Sequence, residues 1–294
     1  MKQNKVIIFG GSGFLGSHVA DKLSDNGYLV SIFDKKISKY LRPDQEMILG
    51  DLLDEKLILN QLKNFDYVYN FAALADLNQA INQPLETIKI NILGNSIILE
   101  SSRINNIKRF VYASTVYVNS REGGFYRCSK QASELYIEEY NRLYNLDYTI
   151  LRYGSLYGPR SDKTNGLYRI VKKALQTGIV KYEGSPESLR EFIHVEDAAI
   201  ASVKALNEEF KNQSVVLTGQ EPMRVLDMLK MLSEILDLKE NVQFIENEQI
   251  GHYIRTPYAY QNKIGRKYIP PFHVDLGQGL LQLIEEVKRE LESI

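Results

Sequence analysis

Short apolar runs alternate with longer amphipathic stretches through the first half of the chain. The apolar runs are rich in β-branched and aromatic residues, a pattern typical of buried strands. Because such runs are separated by helix-length stretches, they predict βαβ units and a parallel sheet. The strands are expected at residues 6–9, 29–33, 47–49, 67–71, 110–113 and 148–151.

The stretches between these strands have helical periodicity. Leu15, Val19 and Leu23 recur at a spacing of four within residues 14–26, and Gly27 follows as a stop signal. Two longer helices are expected at residues 86–105 and 126–144. The first half is therefore predicted to be a doubly wound α/β domain.

The residue composition changes after Arg152, where the run YGSLYGPRSDKTNG indicates a loop and the start of a second lobe. A strand at 215–217 is expected to return to the sheet, and helices are expected at 225–236 and 279–293. The predicted division is a doubly wound domain of residues 1–153 with about 191–220, and a smaller lobe of about 154–190 with 221–294.

Composition narrows the classes of partner. The chain has 294 residues, 44% hydrophobic and 25% charged, with a net charge of −1, so no basic excess indicates nucleic acid or an anionic membrane. Its one cysteine, Cys128, forms no internal disulfide and offers no metal-ligand spacing. The first apolar run is too short for a signal peptide. A soluble cytoplasmic protein without a metal site is expected.

A glycine turn follows the first strand. Gly10, Gly13 and Gly16 form the run GGSGFLG at the opening of the first helix, together with Phe14 and Leu15. Glycines there let the backbone approach a pyrophosphate at the positive end of the helix, so this position predicts a dinucleotide site. The alternative is a glycine-rich turn without a ligand.

Asp34 ends the second strand, 18 residues after Gly16. An acid at this place accepts hydrogen bonds from ribose hydroxyls and repels a 2′-phosphate, which favours NAD over NADP. Lys35 and Lys36 follow directly and weaken that repulsion. The alternative is an aspartate in an ordinary strand-to-loop turn.

Tyr126 and Lys130 are four residues apart and share one face of the predicted helix. A nearby ammonium and the charge of an oxidised nicotinamide both favour the phenolate, which makes this tyrosine a candidate base. Ser114 and Thr115 close the preceding strand, at the sheet edge where ligands of open α/β folds bind. The alternative is a solvated helix face, because 19 tyrosines make a chance match easy.

The order of these elements resembles the extended short-chain dehydrogenase/reductase family, specifically its NAD-dependent nucleotide-sugar epimerase/dehydratase branch. The resemblance covers nearly the whole chain. Further matches are Asp51 and Leu52 in GDLLD, the turn Phe71, Ala72 and Ala73, Asn91 in NILGN, and the runs LRYGSLYGPR and REFIHVEDAA.

The resemblance implies a Rossmann fold with a smaller substrate-binding lobe, NAD as cofactor, a nucleotide-sugar substrate and a homodimer paired through the two long helices. It implies catalytic roles for Tyr126, Lys130 and Thr115, with Ser114 as the alternative to Thr115. The implied cofactor contacts are Gly10, Gly13, Phe14, Leu15, Gly16, Asp34, Lys35, Asp51, Leu52, Phe71, Ala72, Ala73, Asn91, Tyr126, Lys130 and Tyr153.

The expected substrate contacts are Thr115, Ser155, Asn165, Arg190 and Arg255. Arg190 lies in the motif whose arginine binds the nucleotide diphosphate in the family, and a surface ion pair with Glu191 is the alternative. For Arg255, as for Tyr258, packing between the lobes is the alternative.

The chain departs from the family near the catalytic threonine. Ten residues separate Thr115 from Tyr126 where the family has a longer loop, and Val116 and Tyr117 stand where 4,6-dehydratases have Asp and Glu. Ser155 replaces a frequent asparagine. Dehydration is therefore disfavoured. Among the reactions of the family, the resemblance implies oxidation of a sugar hydroxyl at C4 by a 4-epimerase. The alternatives are a net 4-dehydrogenase or 4-ketoreductase acting on a modified hexose or heptose, and a non-catalytic NAD sensor.

Several other conspicuous residues are expected to have structural roles. Cys128 is expected in the core, and His194 and His252 are expected to be structural. Tyr136, Tyr140 and Tyr144 have helical spacing and are expected to pack or to contact a second subunit.

Overall fold

Thirteen strands and nine α-helices are present in the computed structural model, which describes residues 3–219, 221–238, 241–245 and 252–257. The strands are β1 (Lys5–Phe9), β2 (Leu29–Asp34), β3 (Gln45–Leu49), β4 (Tyr67–Asn70), β5 (Arg109–Thr115), β6 (Tyr148–Tyr153), β7 (Ser155–Tyr157), β8 (Val180–Glu183), β9 (Leu189–Arg190), β10 (Phe192–His194), β11 (Gln213–Leu217), β12 (Met223–Arg224) and β13 (Val242–Ile245). The helices are α1 (Phe14–Asp25), α2 (Glu55–Gln61), α3 (Leu77–Asn82), α4 (Pro84–Thr87), α5 (Asn95–Ile104), α6 (Gly124–Tyr144), α7 (Gly166–Thr177), α8 (Val195–Lys204) and α9 (Val225–Ile235).

The central sheet has the strand order β11-β6-β5-β4-β1-β2-β3, and each neighbouring pair is parallel. The order reverses between β1 and β4, which is where open sheets of this type bind dinucleotides. The predicted doubly wound Rossmann fold is confirmed. The strand expected at 215–217 does return to the sheet as part of β11, beside β6.

Both faces of the sheet are covered by apolar packing. Val6, Ile7, Ile8 and Phe9 of β1 are fully buried, because odd and even positions of a central parallel strand both meet helices. One hydrophobic cluster contains Ile7 and Phe9, and a second contains Val6 and Ile8. The central strands are therefore held rigidly, and their carboxyl ends can fix side chains in place.

The helix expected at 86–105 is only partly regular. It consists of α4, a π-helical segment (Ile88–Gly94) and α5. The expected helix is therefore present, with a π-helical segment in its middle that the sequence did not indicate. The wider π turn carries buried Asn91, and its amide hydrogen-bonds Leu74 and Ser129 across to neighbouring segments. The helix expected at 126–144 is confirmed as α6, which begins two residues earlier at Gly124.

A third hydrophobic cluster lies outside the main sheet. It joins α7, β8 and α9 through Ala174, Val180, Val225, Met228 and Leu229. Three two-stranded sheets accompany it, pairing β7 with β10, β9 with β12 and β8 with β13. The division into two lobes stays a prediction, and the helix expected at 279–293 and Tyr258 lie outside the described residues. Within the described part of the chain, no helix is both long and apolar enough to cross a membrane.

Candidate active site

The glycine turn brings β1, α1 and the segment after β4 into close contact. Gly10 has a φ of +77°, and a Cβ there would lie 2.6 Å from the backbone nitrogen of Ala72. A Cβ at Gly16 would likewise collide with the Gly10 carbonyl. Side chains are therefore excluded by the backbone itself, and the turn stays open at the start of α1.

A cavity of about 270 Å³ opens beside this turn. Its wall is formed by Gly10, Gly13, Phe33, Asp34, Lys35, Gly50, Leu52, Phe71, Ala72, Ala73 and Ile90. Most of these residues belong to the cofactor set expected from the sequence. Phe33, Gly50 and Ile90 do not, although the first two adjoin the carboxyl ends of β2 and β3, a position that marks them as candidates.

The acid at the end of β2 is fixed by backbone contacts. Asp34 accepts hydrogen bonds from the amides of Ser12 at 3.2 Å and Lys36 at 3.3 Å. Lys35 forms an ion pair with Asp51 at 3.2 Å, and the pKa of Asp51 is lowered first by a hydrogen bond from the Leu53 amide and also by Lys35. The Lys35 charge is thus partly offset, and the wall contains the Asp34 carboxylate at the end of β2.

Some expected cofactor residues do not line this cavity. Leu15 packs in the core beside β1, and the Asn91 amide is engaged with Leu74 and Ser129, so Asn91 supports the wall from behind. Phe14 and Tyr153 line a second cavity instead. The Tyr153 hydroxyl is 2.7 Å from Ser202 Oγ, and burial raises its pKa.

The second cavity is larger, about 600 Å³, and includes the carboxyl ends of β5 and β6. Among the residues predicted for catalysis or substrate binding, its wall contains Thr115, Tyr126, Ser155, Asn165 and Arg190. These residues come from β5, α6, β7, the start of α7 and β9. The fold therefore gathers most of the predicted constellation around one space.

Tyr126 and Lys130 lie on one face of α6, as predicted from their spacing. The Lys130 nitrogen is 5.9 Å from the centre of the Tyr126 ring and donates a hydrogen bond of 2.6 Å to the Ala113 carbonyl. Burial raises the pKa of Tyr126 to about 12, although a hydrogen bond with Thr115 acts in the opposite direction. Burial lowers the pKa of Lys130 to about 7, against the opposing effect of Glu134.

Each group of this pair is therefore costly to ionise alone. A phenolate beside an ammonium costs less than either charge by itself, because opposite charges offset each other's loss of hydration. A cationic nicotinamide ring near the phenol would favour the phenolate further. The geometry suits a tyrosine that exchanges its proton with a bound hydroxyl.

Ser114 does not belong to this constellation. Its hydroxyl donates to Glu134 Oε1 at 2.5 Å, and the residue is buried outside the cavity wall. Neighbouring residues of a strand point to opposite faces, so Ser114 and Thr115 cannot both face the same space. The prediction that Ser114 could take the role of Thr115 is therefore wrong.

The expected substrate residues are divided. Arg190 is buried in the cavity wall, with its guanidinium 4.6 Å from the centre of the Tyr253 ring and donating to the Leu189 carbonyl at 3.0 Å. Asn165 caps α7 by accepting from the Tyr168 amide, and its Nδ2 donates to the Leu156 carbonyl, so its amide is largely engaged. Arg255 is exposed and lies outside the wall.

The cavity also contains residues outside the expected substrate set, and two of them contact each other. Tyr117 and His252 line it, and the Tyr117 hydroxyl is 2.9 Å from His252 Nδ1. Burial lowers the pKa of His252, and Arg190 and Arg169 act in the same direction. His252 was expected to be structural, and its place in the wall depends on a partner 135 residues away, for which no local signal exists.

The remaining conspicuous residues have simpler outcomes. Cys128 is exposed, so its expected core position is wrong: α6 turns this position to solvent, away from Tyr126 and Lys130. His194 caps α8 by accepting from the Glu196 amide, a structural role as expected. Tyr140 hydrogen-bonds Glu100 and Tyr144 lies against Arg103, so both contact α5, and Tyr136 and Tyr144 are both exposed.

Together, the fold and site define a Rossmann oxidoreductase with a tyrosine and lysine pair at the carboxyl edge of its sheet. The model of the NAD dependent epimerase/dehydratase family matches residues 6–218, and the chain belongs to that family. Members of this class are NAD-dependent enzymes acting on nucleotide sugars, of the extended short-chain dehydrogenase type.

Individual relatives cover nearly the whole chain. It is 33% identical to the "Putative UDP-glucose 4-epimerase" of Methanocaldococcus jannaschii, over 96% of this chain and 98% of that protein. It is similar to the UDP-glucose 4-epimerase of Thermotoga maritima in complex with UDP-glucose, with a TM-score of 0.79, 26% identity and coverage of 87% and 90%. The UDP-N-acetylglucosamine 4-epimerase of Methanobrevibacter ruminantium gives a TM-score of 0.79, 26% identity and full coverage of both chains.

Proposed function

We propose that the enzyme is a nucleotide-sugar 4-epimerase that oxidises the C4 hydroxyl of its substrate and reduces the resulting ketone from the other face. The observation that carries this proposal is the placement of Tyr126 and Thr115 in the wall of one cavity with Arg190. One bound molecule can therefore contact two hydroxyl groups that exchange protons, those of Tyr126 and Thr115, and the Arg190 guanidinium, which can bind its diphosphate. The relatives described as 4-epimerases support the choice of C4.

The smaller cavity suits the adenosine half of NAD. Gly10 and Gly13 permit close approach of the pyrophosphate, and Asp34 accepts from the ribose hydroxyls. Phe71, Ala72 and Ala73 complete the wall. Lys130, one helical turn after Tyr126 on α6, would hold the nicotinamide ribose. When bound, NAD supplies an acceptor and donor of hydride.

The proton chemistry falls to three side chains of this protein. Tyr126 removes the proton of the C4 hydroxyl as the carbon is oxidised and returns it during reduction. Thr115 hydrogen-bonds the reacting oxygen, and its contact with Tyr126 provides the path for the proton. Lys130 stabilises the phenolate through its charge.

The substrate cavity has the electrostatic character that a nucleotide diphosphate requires. Arg169, Lys173, Lys181 and Arg190 contribute positive charge to its wall, against Asp76 and Glu183. Arg190 is the buried cation of this set and can bind phosphate oxygens with two donors at once. The excess of positive charge raises the local concentration of an anionic substrate.

The same wall argues against water elimination. Val116 and Tyr117 follow Thr115, so the aspartate and glutamate that 4,6-dehydratases carry at these two positions for elimination are missing. Of the described residues in the wall, Asp76 and Glu183 are the carboxylates, and Asp76 is engaged by the Gln79 amide at 2.8 Å as the cap of α3. Epimerisation needs neither carboxylate.

We also propose that two copies of the chain pair through α5 and α6. Ile104, Leu135, Tyr136 and Leu143 are exposed on these helices, which leaves apolar area available for a partner. Light scattering coupled to size-exclusion chromatography tests this directly. A dimer supports the pairing, and a monomer at micromolar concentration opposes it.

Product analysis with a panel of UDP-, GDP-, CDP- and dTDP-sugars tests the epimerase proposal. Proton NMR is expected to show one substrate converted to a mixture with its C4 epimer, without lasting accumulation of reduced nicotinamide. Stoichiometric reduced nicotinamide with a released keto-sugar would instead make the enzyme a dehydrogenase. Tightly bound NAD with no turnover of any sugar would indicate a sensor.

A further inference from the structure

A buried carboxylate lies directly behind the catalytic pair of α6. Glu134 follows Lys130 by four residues, as Lys130 follows Tyr126, so the three side chains share one face of the helix. Glu134 is 5% exposed and lies outside the wall of either cavity. A charged group this deeply buried requires strong partners.

Its partners are the ends of two adjacent strands. Ser114 of β5 donates to Glu134 Oε1 at 2.5 Å, while Arg152 of β6 donates from Nε to Oε1 at 3.1 Å and from a terminal nitrogen to Oε2 at 2.6 Å. Ser114 and Arg152 are register neighbours across these strands. The Glu134 carboxylate therefore binds α6 to both strands at the sheet edge that carries Thr115.

Among the residues that the structure describes, no carboxylate is in direct contact with buried Lys130. It is 2% exposed, and its nitrogen meets the Ala113 carbonyl at 2.6 Å and the faces of the Tyr112 and Tyr126 rings, whose centres are 4.5 and 5.9 Å away. These groups are uncharged when both phenols are protonated. Among the described residues, Glu134, one helical turn further along α6, is the carboxylate whose charge raises the pKa of Lys130 against the effect of burial.

The charged and titratable groups around Lys130 come from three elements. Tyr126 and Glu134 face it from α6, Tyr112 faces it from β5, and Arg152 of β6 stands behind Glu134 as its ion-pair partner. Arg152 offsets part of the Glu134 charge. The remainder favours the ammonium over the neutral amine.

We propose that Glu134 is a positioning residue: its carboxylate holds α6 against the ends of β5 and β6 and supplies the charge that keeps Lys130 an ammonium. The inference rests on the proposed function, in which that ammonium stabilises the Tyr126 phenolate. In this role Glu134 accepts the hydrogen bond of Ser114, so the Ser114 hydroxyl is turned away from the cavity that Thr115 lines.

Glu134→Gln separates charge from shape, because glutamine has nearly the same size and can still accept from Ser114 or Arg152. Removing the negative charge should lower the pKa of Lys130 by about one unit. The alkaline limb of the kcat profile, where Lys130 loses its proton, should move to lower pH by a similar amount. Glu138→Gln, one turn further along α6 and exposed, is the matched control with no expected shift.

Two measurements distinguish failure of this inference from failure of the proposed function. The first is the NMR titration of the 13Cε resonance of Lys130 in the NAD-saturated protein, assigned by its absence in Lys130→Met, which needs no turnover. The second is the pH profile of kcat. An unshifted Lys130 titration in Glu134→Gln overturns the inference even when the wild type turns over normally. A shifted titration supports it even when no sugar in the panel reacts.

Glu134→Asp covers the case in which the glutamine variant does not fold. Aspartate keeps the charge but is one methylene shorter, so Lys130 should titrate near its wild-type pH. The displaced contacts should lower kcat by about tenfold, with little change in KM. Wild-type kcat in Glu134→Asp would contradict the positioning role.

Discussion

The two cavities are built in different ways. The cofactor cavity depends on close backbone packing at the glycine turn, with Gly10 against Ala72 and the ends of β2 and β3 in its wall. The substrate cavity is shaped by side chains that come from β5, α6, β7, α7, β9 and the segment at residues 252–257. The cofactor cavity depends on the lack of side chains at the glycines. The substrate cavity depends on contacts between side chains that are far apart in sequence.

This difference separates binding of the cofactor from chemistry on the sugar. A change in the glycine turn acts through steric displacement, whereas a change in the substrate wall acts through a single proton, charge or hydrogen bond. The same site can therefore be disabled in two independent ways. The predictions below use that independence, in order of expected effect.

The largest effect is expected from Tyr126→Phe, which removes the proton-exchanging hydroxyl and leaves the cofactor cavity intact. Oxidation of the sugar should slow by about 100- to 10,000-fold, the usual contribution of a positioned acid or base. NAD affinity measured by calorimetry should stay within about twofold. A variant that oxidises sugar at the wild-type rate would remove Tyr126 from the mechanism.

Gly10→Ala should disrupt the cofactor side. The new Cβ meets the Ala72 backbone at 2.6 Å, and the φ of +77° is strained for alanine, so the turn must move. A displacement of this kind should weaken NAD binding on the order of 100-fold. Calorimetric titration with NAD measures it.

Gly27→Ala is the matched control for that change. Gly27 has a φ of +81°, but a Cβ there meets nothing within 4 Å. It should therefore lower the free energy of unfolding by about 1 kcal/mol without changing NAD affinity. Equal effects of the two variants on NAD binding would mean that backbone strain, rather than contact with Ala72, controls the site.

Arg190→Gln should weaken substrate binding, because Arg190 is the buried cation of the substrate cavity wall. Loss of charge-assisted hydrogen bonds of about 1.5–3 kcal/mol corresponds to a KM about 10- to 100-fold higher. Arg255→Gln provides the comparison, because Arg255 is exposed outside the cavity wall, and its KM should be unchanged. The reverse ranking would show that Arg255, expected from the sequence only as a further substrate contact, binds the phosphates in place of Arg190.

A pH dependence of stability is expected from Lys130. Its pKa is about 7 in the folded protein and about 10.4 when unfolded, so between these values the unfolded chain binds more protons. The free energy of unfolding without NAD should then rise with pH across this window, by at most about 1.4 kcal/mol per pH unit. Below pH 7 this contribution is constant.

Lys130→Met isolates that contribution. Urea unfolding at several pH values should give a smaller slope for the variant than for the wild type between about pH 7 and 10. Identical slopes would mean that Lys130 keeps an ordinary pKa despite its burial.

The comparison also explains what sequence could and could not predict. The strands, the glycine turn and the Tyr126–Lys130 face follow from local periodicity and spacing, and each was found where expected. Ser114 and Thr115 adjoin in sequence, so pattern alone could not decide which of them faces the cavity. Strand alternation requires one to turn away, and the Glu134 partner of Ser114 lies on a different element.

Other features depend on contacts between distant residues. The Tyr117–His252 pair joins residues 135 positions apart, and the π turn at Asn91 involves bonds to Leu74 and Ser129 on other segments. The local spacing of these residues does not predict contacts between segments so far apart in sequence. Cys128 shows the limit of a helical-wheel argument, since facing away from Lys130 meant facing solvent rather than the core.

The most direct test of the central claim follows deuterium placed at C4 of a nucleotide sugar that the enzyme accepts. Mass spectrometry of quenched reactions should find the label on the nicotinamide during turnover and at C4 of the inverted product afterwards, with little loss to water. Inversion without transfer of the label to the cofactor, or exchange of the label with solvent, would contradict oxidation at C4.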